Sequence, residues 1–192
     1  MITFFITFSV LLITTVTLTQ FNLTVDFEQL VKYHSMQYAA AECSFVQPEI
    51  TLKTIVKWPQ SCHAVVGIFT FNQNFDIPLQ KLAEIWKNLA VFNGPIRVIN
   101  STFKNLNFLE KYQAVCDPFG TFILNNSQLV NLDFLDKTYG YIWQMSNYNC
   151  TFQIANNPKF DASQLCYHPN YIDRIGADDR FGVTDNKVDC GW

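Results

Sequence analysis

Charge is scarce in this chain. Asp, Glu, Lys and Arg make up 15% of its 192 residues, the net charge is −3, and no basic run occurs. Without a basic stripe there is no electrostatic footprint for nucleic acid or an anionic membrane surface, so neither is expected as a partner. Catalytic signatures are missing too: there is no Gly-x-Ser-x-Gly, no His-Glu-x-x-His, no phosphate-cradling glycine loop and no dinucleotide fingerprint. The six cysteines lack the paired Cys-x-x-Cys spacing of zinc sites. Asp178, Asp179, Asp185 and Asp189 lack the spacing and glycine of an EF-hand and read as a solvated loop. Of the three histidines, His34 falls on the apolar face of a predicted helix, while His63 and His168 lie beside cysteines, which suits packing roles. A non-enzyme without metal or cofactor is expected.

The first 19 residues hold no charged side chain and run almost continuously apolar from Ile2 to Val16. This run is shorter than the roughly 20 residues that cross a bilayer, and Thr17 and Thr19 supply small residues for cleavage. Residues 1–19 are therefore predicted to be a removable signal peptide. The alternative is a membrane anchor formed by an uncleaved leader, because no Lys or Arg precedes the apolar run. The rest suits one domain. Six cysteines beyond the leader make an even set for an oxidising compartment, and sequence leaves all fifteen pairings open. Four N-glycosylation sequons, at Asn22, Asn100, Asn125 and Asn149, agree with secretion. Asn125 and Asn149 are expected to point outward, whereas Asn100 is expected to be committed to internal hydrogen bonds.

Three stretches repeat one another: Ile96–Asn100, Phe122–Asn126 and Phe152–Asn156, with Phe69-Thr70-Phe71 as a fourth, upstream member. Their first apolar residues, at 69, 96, 122 and 152, are spaced by 27, 26 and 30, a period that marks stacked coils unable to bury their apolar faces alone. Gly67, Gly94 and Gly120 precede three of the four by two residues, as a sharp turn into a strand requires. Strand alternation then predicts Phe69/Phe71, Ile96/Val98, Phe122/Leu124 and Phe152/Ile154 inward, and Thr70, Arg97, Ile123 and Gln153 outward. Gln73, Asn100, Asn126 and Asn156 follow the inward pairs and predict an amide ladder at a corner. Asn105–Leu109 and Asn131–Leu135 match at an offset of 26 and suggest a second strand per coil.

Helical spacing appears at Phe27, Leu30, Val31, His34 and Tyr38, within an N-terminal extension over 20–42. A short helix is expected after Pro48 with Leu52, Ile55 and Val56 on one face. Another, capped by Asp76, would turn Leu79, Leu82, Ala83, Trp86 and Leu89 inward. The segment from Tyr167 to Trp192 reads as an irregular terminal loop.

The segments Cys62–Phe71 and Gly94–Asn100, then Ile154–Asn157, Leu165–Tyr167 and Ile172–Ile175, resemble the receptor L domain, the extracellular ligand-binding module of the insulin and epidermal growth factor receptors. The likeness runs from Cys43 to Cys190 and is similar to the short secreted nematode L-domain proteins that carry no kinase. It implies a mainly β fold with capping helices, a right-handed β-helix-like, leucine-rich-repeat-like solenoid of about four coils over 43–190. It also implies disulfides Cys43–Cys62 and Cys166–Cys190. Cys116 and Cys150 are left either for each other or as two free thiols. By the same resemblance the chain is a secreted binding module, a soluble receptor or decoy for an insulin-like or growth-factor-like polypeptide, with ligand on the outward strand positions Thr70, Arg97, Ile99, Ile123 and Gln153. With no kinase in the chain, binding and not signalling is expected. The alternatives are an adhesion or structural protein that pairs with other L domains, or a truncated receptor-ectodomain fragment.

Overall fold

A computed structural model describes residues 41–113, 120–137, 151–163, 165 and 181–189. The leader, the helix predicted over 27–38, Asn22, Asn149, Cys116, Cys150, Cys166 and Cys190 lie outside these residues.

Strands and loops dominate, with short helices between them. The strands are β1 (Ser44–Phe45), β2 (Ala64–Gly67), β3 (Phe69–Phe71), β4 (Val91–Asn93), β5 (Ile96–Ile99), β6 (Tyr112–Gln113), β7 (Thr121–Leu124), β8 (Phe152–Ala155) and β9 (Phe181–Thr184). They form two sheets, a four-stranded one ordered β1-β2-β4-β6 and a five-stranded one ordered β3-β5-β7-β8-β9. Every strand pair is parallel. From β2 to β7 the chain alternates between the sheets, turning a corner each time.

Glycine makes that corner possible. Gly94 has φ 124°, and a Cβ there would lie 2.1 Å from the carbonyl oxygen of Gly67 on the preceding pass. No side chain fits so close an approach.

Between the sheets lies an aromatic core. Trp58 packs against Phe45, Phe69, Trp86 and Phe92 with ring centroids 5.0–6.1 Å apart. Phe71, Phe75, Phe103 and Phe108 continue the cluster. Burying a side chain of this size stabilises by about 1.5–3 kcal/mol before entropy is charged against it, so these rings dominate the packing.

Helix α1 spans Leu79–Ile85. Within it Leu82 is buried, as are Trp86 and Leu89 just past its end, while Leu79 and Ala83, expected inside, are exposed. Asp76 does not cap it, because its Oδ1 accepts the Leu52 N–H at 2.6 Å and Pro78 begins the helix. The turn after Pro48 is a single 3₁₀ turn, Ile55–Lys57, too short to present one face; Ile55 is buried but Leu52 and Val56 are exposed. The loop before it covers the outer edge of β3, where Ile50 N–H donates to the Thr70 carbonyl at 2.9 Å and Glu49 accepts from Asn72 and Asn74. Covering an edge strand in this way blocks unwanted strand pairing. The matching segments Asn105–Leu109 and Asn131–Leu135 are not strands. They carry a 3₁₀ turn, Asn107–Leu109, and the helix α2, Phe134–Lys137, which bury Leu106, Leu109, Leu132 and Leu135. The second strands of the passes are β2, which ends on Gly67, and β4 and β6, which precede Gly94 and Gly120.

The expected disulfide Cys43–Cys62 is present, with Cα atoms 5.6 Å apart.

Candidate binding face

The register of the five-stranded sheet fixes which side chains share a face. Phe69, Ile96, Thr121, Phe152 and Phe181 stand in one row, at spacings of 27, 25, 31 and 29. Two residues along each strand, Phe71, Val98, Ile123, Ile154 and Val183 form the second inward row. β7 is thus shifted by one residue from the expected phase, and a one-residue slip exchanges the faces. Ile123, expected outside, is 0% exposed, while Phe122 and Leu124, expected inside, are half-buried on the outer face. Thr121 is tolerated inside because its hydroxyl pairs with the buried Tyr112 hydroxyl at 3.0 Å. A buried polar group with a partner carries little penalty.

The outer face carries two rows. The first is Thr70, Arg97, Phe122, Gln153 and Gly182; the second is Ile99, Leu124, Ala155 and Thr184. Thr70, Ile99 and Gln153, named from the sequence, do lie on this surface and are half-buried. Arg97 is in its row but only 7% exposed, so it offers little to a partner. Ile123 is not on the face at all, and Phe122 takes its place.

Beyond the strands the chain makes the same turn four times. Asn100, Asn125, Asn156 and Asp185 sit at φ 54–58°, a left-handed conformation in which Asn and Asp are the least strained of the residues other than glycine. The next residues, Ser101, Asn126, Asn157 and Asn186, build the ladder. Asn126 Oδ1 accepts from Ser101 N–H and Oγ–H at 2.9 and 2.7 Å. Its Nδ2 donates to the Val98 carbonyl and to Asn157 Oδ1, both at 3.0 Å. Asn157 repeats the pattern toward Ile123 and Asn186, and Asn186 toward Ile154 and Asp189. Asp189 ends the ladder as a pure acceptor. The expected ladder of Gln73, Asn100, Asn126 and Asn156 therefore holds at Asn126, is displaced by one residue at Asn100 and Asn156, and does not extend to the exposed Gln73; Asn100 is exposed instead of internally committed. The fourth rung, Asn186, lies in the segment read as an irregular loop; its signal was the Asp185-Asn186 pair.

A cavity of about 340 Å³ opens elsewhere, lined by Val130, Asn131, Leu132, Asp133, Phe160, Asp161 and Leu165. The Ser163 hydroxyl and N–H hold the Asp161 carboxyl below its usual range, with Lys187 assisting against a small opposing effect of burial. Nothing in the sequence marked this recess. Among the described residues no group of three or more His, Cys, Asp and Glu is placed to hold a metal ion, and no helix is long and apolar enough to cross a membrane.

No family model matches the chain, and no curated protein or solved structure matches it.

Proposed function

We propose that this chain is a secreted, non-enzymatic binding module that holds a small extracellular polypeptide against the outer face of its five-stranded sheet. The observation that carries the reading is that face: side chains in register, with Phe122 half-buried between Arg97 and Gln153 in one row and apolar Ile99 and Leu124 in the next. A rigid parallel sheet holds such positions without ordering loops on binding, which lowers the entropic cost of association. An aromatic residue within a polar surround is the arrangement that concentrates binding energy.

The receptor L-domain likeness is part of the same proposal. In that reading the two sheets are faces of a right-handed, β-helix-like solenoid. Its support is the alternation of the chain between parallel sheets, the glycine corners and the repeating amide turn. The Cys43–Cys62 disulfide suits an oxidising compartment and so supports secretion.

A pull-down from extracellular fluid with the purified chain tests the reading. Retention of a small secreted polypeptide, released by Phe122→Asp, is the expected result. Recovery of another L-domain protein would point to adhesion, and retention that Phe122→Asp leaves unchanged would contradict the assigned face.

A further inference from the structure

We propose that Asn100 and Asn125 are a paired N-glycan site whose sugars cover the apolar end of the outer sheet face. The inference rests on the secretory reading above and adds to it a defined boundary for the binding face.

Both asparagines begin sequons, Asn100-Ser101-Thr102 and Asn125-Asn126-Ser127. They occupy the same left-handed turn position on neighbouring passes, and Asn100, Thr102, Asn125 and Ser127 are all exposed. Asn126, beside them in sequence, is fully buried with its amide engaged at both ends, so the turn sorts one asparagine to solvent and the next to the ladder. Strands β5 and β7 are hydrogen-bonded neighbours, which sets the two acceptors about 5 Å apart.

What these sugars would cover follows from the rows. Ile99 and Leu124 directly precede the two acceptors and are the large apolar members of the second outer row. The same row continues as Ala155 and Thr184 at the passes whose turns, Asn156 and Asp185, begin no sequon. Large apolar side chains occur where a glycan can be attached, and small or polar ones where it cannot. The apolar faces of the first sugar rings would pack over Ile99 and Leu124. Phe122 and Gln153 would then remain as the open row for a polypeptide. In the attachment step a lipid-pyrophosphate-linked oligosaccharide transfers its C1 to Asn Nδ2; the amide loses one proton and the lipid pyrophosphate departs with the bonding electrons.

The test expresses the chain behind a heterologous cleavable leader, so that entry to the secretory pathway does not depend on residues 1–19. Peptide mass spectrometry should find glycan on both Asn100 and Asn125. The folded double variant Asn100→Gln/Asn125→Gln should bind an apolar dye severalfold more than the glycosylated protein, and adding Ile99→Thr and Leu124→Thr should return the signal to its original level. Should the double variant fail to fold, enzymatic deglycosylation of the folded protein gives the same comparison. An unmodified Asn100 or Asn125 in secreted protein would overturn the proposal, as would a dye signal indifferent to sugar removal or to the threonine substitutions. Failure of the native leader alone, with both sites filled behind the heterologous one, would count against the secretory reading and leave the paired site standing.

Discussion

At the scale of single residues, the ladder amides do the most demanding work. Asn126 satisfies the Ser101 N–H and the Val98 carbonyl, both away from water, while linking three passes of the chain. Leaving a buried donor or acceptor without a partner costs about 1–3 kcal/mol, so Asn126→Ala, which strands two, should lower the unfolding free energy by roughly 2–5 kcal/mol in denaturant titration. Asn125→Ala, one residue earlier and exposed, removes no buried bond and should cost about 1–2 kcal/mol through its left-handed backbone alone. Asp161 gives a pH signature. Its folded-state carboxyl is held below the ordinary aspartate range, so its contribution is present above the unfolded value and is lost as pH falls through the folded one. In an NMR titration Asp161 should titrate below an ordinary aspartate, and Ser163→Ala should move it upward; no movement would remove the hydroxyl as the cause.

At the scale of elements, the repeat was legible but its phase was not. Periodicity, the glycine corners and the Asn-rich turns were all visible in the residues, and so were the inward pairs of β3, β5 and β8, the buried Leu82 of α1 and the buried Trp86 that follows it. In β7 the run Phe122-Ile123-Leu124 offers three consecutive apolar residues, so alternation alone cannot choose a face. The inward Thr121 hid the choice, because its compatibility with the core depends on Tyr112, which approaches only in the folded chain. The adjacent Asn125-Asn126 pair fitted either register. β9 escaped notice because Gly182 stands at the middle position where the other strands carry an outward side chain, and because its ladder residue, Asn186, is recognisable only beside Asn157. The corrected phase has a direct test. Expressed behind a heterologous leader, Ile123→Asp places an unpaired carboxylate in the core and should abolish release of folded protein, whereas Phe122→Asp should be released folded with its Cys43–Cys62 disulfide formed. The opposite pattern would restore the phase read from the sequence.

For the whole molecule, the features that position the face are distributed and mutually dependent. One end of the five-stranded sheet is covered by the Glu49–Thr54 loop and the other carries the Asp189-terminated ladder, in which Asn126, Asn157 and Asn186 each have a partner on both sides. The disulfide fastens β1 to the start of β2 across 19 residues, a closure worth about 3 kcal/mol in the chain-entropy picture. A face held in this way can present Phe122 without rearrangement. The most direct measurement is the equilibrium affinity of the chain for the polypeptide that the proposed function has it capture, compared among wild type, Phe122→Asp and Val130→Asp, the last altering an exposed apolar residue outside the strands. A desolvated contact at Phe122 predicts a loss of at least about tenfold, near 1.4 kcal/mol, for Phe122→Asp and an unchanged affinity for Val130→Asp. Equal affinity of Phe122→Asp and wild type would contradict the account.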